Sequence, residues 1–231
     1  MAVERLKVEG QVAEGKVLRF TGGERFSHWL HVVSFFMLLF TGLGVFTAGF
    51  HPLMSLVGGL QIARLIHRVV AVIFVLGAGA MFFIGDSRYH RDWLRSAFSF
   101  SEADKKHIKA FTAEFFGGHA AYPPQDKYNG GEKINSLLTI CGSAVITVSG
   151  LVMWFAPNFP AGLVDWAYPL HDLAMFVMTA AVIGHIYLSL IHPGSRASIS
   201  GMLTGYVPED FAKAHHAVWY EQAAENKSVA K

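Results

Sequence analysis

The chain has 231 residues, 52% of them hydrophobic and 16% charged, with a mean hydropathy of +0.36. A soluble domain carries about 25% charge, so the composition points to a membrane protein, and a formal net charge of +2 gives no footprint for nucleic acid. The single cysteine, Cys141, excludes an intrachain disulfide and any zinc or iron–sulfur site built from cysteines.

Residues 1–25 are polar and basic. Their first twenty, MAVERLKVEGQVAEGKVLRF, lack an apolar run followed by a small-residue cleavage site, so they read as a cytoplasmic segment and not as a secretory signal. Four apolar stretches follow, at 29–50, 69–85, 135–156 and 169–191. The first three contain no Asp, Glu, Lys or Arg, and the fourth contains only Asp172. Each has about 17 to 25 residues, enough to cross a hydrocarbon layer of roughly 30 Å. Backbone in lipid must satisfy its own hydrogen bonds, so the stretches predict four transmembrane helices. The expected fold is an all-α membrane protein, a four-helix transmembrane bundle over residues 26–192.

Lys and Arg orient it. Five lie in the first 25 residues (Arg5, Lys7, Lys16, Arg19 and Arg25), eight in the connection of about 86–134, and four after residue 192. Between helices three and four there are none, and between helices one and two only Arg64, with Arg68 at the helix entry. The positive-inside rule then puts both termini, the middle connection and the tail 193–231 in the cytoplasm. In the connection, Ser101 and Asp104 have capping-box spacing, and Ile108, Phe111 and Phe115 repeat at helical spacing. A short amphipathic helix at the membrane surface is expected there, packed on lipid, a partner or the helix ends. The last fifteen residues read as frayed apart from WYEQ.

Four of the twelve histidines sit where a buried ligand could sit. His28 is at the cytoplasmic mouth of helix one, and His67 and His171 are at the outer mouths of helices two and four. His185 lies fourteen residues beyond His171, about 21 Å along the axis and about 40° short of four full turns, hence on the same face. By depth, His67 pairs with His171 and His28 with His185. Two imidazoles at one depth can ligate a haem iron from both sides, and two such levels form an electron path across the bilayer. That use would offset the cost of burying polar groups in lipid. Spacing leaves His31 open as a rival to His28, and His192 to His185. The other six, His51, His90, His107, His119, His215 and His216, read as solvated. Met37, Met153, Met175 and Met178 read as packing residues. Glycines in all four helices, including Gly42, Gly150 and Gly184, allow close helix approach or clearance for a flat macrocycle. Arg25, Arg64 and Arg68 lie near the candidate haem levels and either pair with propionates or simply flank the helices.

Several motifs carry a family resemblance: ERFSHW at 24–29, ARLIH at 63–67, KYNGGEK at 127–133, the His171–His185 pair, and AKAHHAVWYEQ at 212–222. With these the chain resembles the gamma subunit of respiratory formate dehydrogenase, a four-helix cytochrome b. The resemblance implies two haem b groups, with His28 and His185 on the cytoplasmic-side iron and His67 and His171 on the outer one. It favours His28 over His31 and His185 over His192. It also implies a quinone pocket formed by Asn129, Gly131 and His185, where this sequence varies locally with Gly-Gly at 130–131 and Glu132. An Asn offers a donor and an acceptor to a quinone, and glycine lets backbone approach. On residue pattern alone the same loop reads as a polar helix start.

The expected function is electron transfer from formate oxidation to menaquinone or ubiquinone, with proton uptake from the cytoplasm. The resemblance supplies the partners, an iron–sulfur subunit and a molybdenum- or tungsten-pterin catalytic subunit, and the location, the bacterial inner membrane. It also admits a higher oligomer of the complex. Two rival readings are the cytochrome b of a nickel–iron hydrogenase or a related oxidoreductase, and a haem-free anchor or transporter with histidine proton relays.

Overall fold

The computed structural model of the protein describes residues 12–13, 15–85 and 87–229. Arg5, Lys7 and Lys231, counted for orientation, and most of the segment weighed as a signal sequence lie outside the described residues.

Among the described residues, four helices are long and apolar enough to cross a membrane. They are α1 (Gly22–Phe46), α3 (Leu60–Ala80), α6 (Gly130–Trp154) and α7 (Ala161–Ile186). A π-helical turn, Tyr187–Ile191, continues α7. Each long helix begins five to nine residues before the uncharged stretch that predicted it. The first turn of a helix has unpaired N–H groups that want caps and polar company, so its charged residues belong to the helix. Arg64 and Arg68 thus lie inside α3 rather than before it.

The patterning of these helices inverts that of a soluble protein. On α1 the buried residues are small or polar, Glu24, Ser27, Ser34, Thr41 and Gly44. Its large side chains, including Phe26, Val33, Phe36 and Phe46, are exposed. Lipid tails are as apolar as leucine, so the large residues face outward and small residues let helices touch.

The chain divides into two compact units. Residues 23–90 hold α1 and α3, joined by short 3₁₀ turns around α2 (His51–Met54). Met54, fully buried, fills the space over Gly44. The other unit, residues 1–22 with 91–231, contains the packed α6–α7 pair. It also carries a small antiparallel sheet of β1 (Val12–Ala13), β2 (Lys16–Leu18) and β3 (Tyr206–Pro208). The register is Val17 opposite Val207.

The middle connection holds two helices, α4 (Ser87–Ala97) and α5 (Glu102–Phe115). The capping box predicted at Ser101 and Asp104 is formed. The inner face of α5 packs on the first turn of α6, where a Cβ on Gly130 would stand 2.5 Å from the Asp104 carbonyl oxygen. No side chain but glycine permits that approach.

Ala217–Val229, in the last fifteen residues, are helical and not frayed as the sequence suggested. The tail folds into α8 (Ile199–Thr204), α9 (Glu209–His215) and α10 (Ala217–Val229). Trp219 joins Val17, Val207, Phe211 and Ala212 in a small core. The alternation that would reveal this is weak, because the apolar residues meet a partner from the other end of the chain.

Candidate functional site

The two helix pairs build one arrangement twice. In the first, Nδ1 of His67 on α3 lies 3.0 Å from the Thr41 hydroxyl on α1. A Cβ on the next residue, Gly42, would stand 3.3 Å from Cε1 of the same ring. Thr41 also donates its hydroxyl proton to the Met37 carbonyl at 2.7 Å. In the second pair, Nδ1 of His171 on α7 lies 3.1 Å from the Ser149 hydroxyl on α6. A Cβ on Gly150 would stand 3.2 Å from Cε1 of that ring. Ser149 donates to the Val145 carbonyl at 2.6 Å. In both pairs an imidazole rests on a hydroxyl–glycine step of the preceding long helix.

At the other end of the first pair, Leu30 packs where Gly77 leaves space, and His31 meets Phe74 edge to face at 4.9 Å between ring centres. His28, half-buried, is one turn from that contact. His31 donates its Nδ1–H to the Ser27 carbonyl of its own helix at 2.8 Å. In the second pair, Met178 packs over Gly142, and His185 lies two turns further along α7. His185 is exposed on this chain, and a Cβ on Gly184 would meet nothing within 4 Å among the described residues. His192 differs in kind. It has left the helix and caps the π turn, with Nδ1 3.2 Å from the Ser195 hydroxyl. Within each unit, the two ligand candidates lie near opposite ends of the helix pair.

Asn129 is the N-cap of α6. Its Oδ1 accepts from Glu132 N at 2.9 Å, and Glu132 returns a carboxylate oxygen to Asn129 N at 3.0 Å. The polar-turn reading of this loop is therefore realised, and the cap commits Oδ1 but not the amide NH₂. Gly131 is exposed, and among the described residues only Asn129 Oδ1 lies within 4 Å of an added Cβ.

The loop is braced from three sides. Arg19, 1% exposed, donates to both oxygens of Glu132 at 2.9 and 3.0 Å and to the Lys127 carbonyl at 2.6 Å. Lys133 pairs with Asp104 at 2.8 Å, and both side chains are under 10% exposed. Burial opposes ionisation of Asp104, yet Lys133 and the Ser101 cap outweigh it and hold its pKa below the ordinary value. From the tail, His216 donates Nδ1–H to the Asp126 carbonyl at 2.8 Å, and Val218 N donates to the Gln125 carbonyl. Two of the resemblance motifs, KYNGGEK and AKAHHAVWYEQ, thus belong to one folded patch.

His216 is 1% exposed and His90 is 7% exposed, so neither is solvated as the sequence suggested. Burial, reinforced by Arg19, pushes His216 down to about 3. Their loop and tail context hid the partners that bury them. Arg64 and Arg68 are exposed on α3 within four residues of His67, and Arg25 is half-buried three residues before His28.

Over residues 19–205 the sequence matches the model of the prokaryotic cytochrome b561 family. The chain belongs to that family. It is a membrane cytochrome b, a family whose prosthetic group is haem b, and its four apolar helices make it a multi-pass membrane protein. It is 29% identical over 210 residues to the cytochrome b556(fdo) subunit of Escherichia coli K12 formate dehydrogenase, covering 89% of this chain and 92% of the relative. It is 28% identical over 217 residues to the Haemophilus influenzae formate dehydrogenase cytochrome b556 subunit, covering 92% and 85%. Against the E. coli nitrate-inducible cytochrome b556(Fdn) subunit it is 27% identical over 206 residues, covering 86% and 88%. The resemblance read from the motifs therefore stands.

The residues fit haem. A flat macrocycle needs imidazoles held close to a helix and clearance beside them, and Gly42, Gly150 and Gly184 provide these. Sequence reasoning missed Thr41, Ser149, Arg19 and Lys133. A legible signal for the first two is a hydroxyl residue directly before a glycine, once in helix one and once in helix three.

Proposed function

We propose that this chain is the membrane cytochrome b subunit of a formate:quinone oxidoreductase, carrying electrons from formate oxidation to a membrane quinone. The observation that carries the reading is the repeated hydroxyl–glycine seat for His67 and His171 in a cytochrome b561 family member. His67 with His171, and His28 with His185, would hold the two haem b groups. When bound, haem b supplies one-electron redox chemistry at each level. Arg25, Arg64 and Arg68 would pair with its propionates by charge-assisted hydrogen bonds. His185 is chosen over His192 because it lies within the helix, while His192 is used in a cap.

Asn129, Gly131 and His185 form the quinone pocket. The Asn129 amide donates to a quinone oxygen, and Gly131 allows the ring to approach backbone. The quinone, menaquinone or ubiquinone, takes up protons on the cytoplasmic side. Both termini face the cytoplasm across the bacterial inner membrane, consistent with the Lys and Arg counts. The relatives are named as formate dehydrogenase subunits, so the partners are an iron–sulfur subunit and a molybdenum- or tungsten-pterin catalytic subunit.

Pyridine haemochrome quantification on the purified full-length chain tests this. Two b-type haems per chain are expected, and His67→Ala or His171→Ala should lower the count to one. A folded chain made with haem available that contained none would overturn the reading.

A further inference from the structure

In each helix pair the hydroxyl beside the histidine has one proton to give. Thr41 gives it to the Met37 carbonyl at 2.7 Å, and Ser149 gives it to the Val145 carbonyl at 2.6 Å. The second carbonyl in reach of each, Leu38 or Ile146, is also only an acceptor. A carbonyl cannot return a proton, so toward the imidazole each hydroxyl oxygen can only accept. The carbonyl contacts are the shorter ones, so the hydroxyl protons are assigned to them and the 3.0 and 3.1 Å contacts to Nδ1–H donating to oxygen. A neutral imidazole protonated at Nδ1 carries its lone pair on Nε2, the form that ligates a metal. Thr41 is 1% exposed and Ser149 5% exposed, so no bulk water substitutes for either.

We infer that Thr41 and Ser149 are paired positioning residues that lock His67 and His171 in the Nε2-ligating tautomer and tune the haem these histidines share. The inference rests on the ligand reading above. Its physical content is electronic as well as geometric. An acceptor on Nδ1–H raises the basicity of the ring, and a more basic ligand favours ferric over ferrous iron. Removing the acceptor raises the midpoint potential. On the ligand pairing proposed above, both substitutions move the same haem.

The test is redox titration with electron paramagnetic resonance of full-length chain in its membrane complex. Thr41→Val keeps shape and removes the hydroxyl; Thr41→Ser keeps the hydroxyl. Ser149→Ala does for the second pair what Thr41→Val does for the first. The expected result is an upward shift of one haem's potential in Thr41→Val and in Ser149→Ala, a larger shift in the double variant, and a wild-type value in Thr41→Ser. The low-field resonance of that haem should move with the potential, while the other haem stays in place. Unchanged potentials with both haems present would overturn the inference and leave the ligand reading intact. So would equal haem loss in Thr41→Val and Thr41→Ser, which would make Thr41 a packing residue. Loss in Thr41→Val alone, with Thr41→Ser intact, supports the lock. Wild-type chain lacking haem would instead sink the ligand reading and the inference with it.

Discussion

Buried polar groups inside the long helices differ from those outside them. Past the end turns the buried ones are neutral hydroxyls, such as Thr41, Ser136 and Ser149. Each donates to the carbonyl one turn back and meets a ring nitrogen on another element: His67, Trp93 and His171 respectively. At the helix entries and beyond, buried ions appear as well, and they pair across long sequence distances. Arg19 and Glu132 are 113 residues apart, and Lys133 and Asp104 are 29 apart. The dielectric explains the difference. In hydrocarbon a charge is costly, while a self-satisfied hydroxyl costs little and offers one lone pair. Near water an ion pair is affordable if both members stay paired, and it can fix a loop in one place.

Breaking a pair outside the long helices should have the largest effect. Lys133→Met leaves Asp104 buried without its cation and should cost about 3–5 kcal/mol, read as a lowered thermal midpoint of the full-length protein. Adding Asp104→Leu should recover most of that loss, since two apolar groups replace a pair better than one orphaned charge does. A single variant as stable as wild type would mean that the ion pair does not hold α5 on α6.

Next is the glycine pair at the start of α6. Gly130→Ala should cost about 1–3 kcal/mol, because its Cβ would meet the Asp104 carbonyl. Gly131→Ala has room and should change stability by no more than about 0.5 kcal/mol, yet lower quinone turnover in the complex. If both variants lost stability equally, Gly131 would be a second packing residue and its place in the quinone pocket would be lost.

The last effect vanishes at neutral pH and is graded by acid. His216 falls from 6.5 to about 3 on folding, so the folded tail keeps it neutral while the unfolded chain protonates it. Its share of stability is complete above about pH 6.5 and is lost as pH falls from there toward 3, by up to about 1.4 kcal/mol per unit. Limited proteolysis of the tail across that range should show the slope. His216→Asn, which keeps a donor for the Asp126 carbonyl, should flatten it. An unchanged slope would place the acid-sensitive group elsewhere.

Four apolar stretches and the absence of charge within them were enough to define four membrane helices, because each satisfies its own backbone and needs no partner to be recognised. Histidines at two depths on those stretches were legible for the same reason: 1.5 Å per residue turns sequence distance into depth. Helix starts were misplaced, since a capped first turn looks polar. The folded tail, the burial of His216 and His90, and the Arg19 and Lys133 pairs were hidden, because each depends on residues brought together from far along the chain. Thr41 and Ser149 were in plain view as residue types. Only the packing of α1 on α3, and of α6 on α7, set their hydroxyls against Nδ1 of a histidine. Local periodicity fixes where a helix runs and how deep a side chain sits; which neighbour that side chain meets is decided by the long-range contacts of the folded protein.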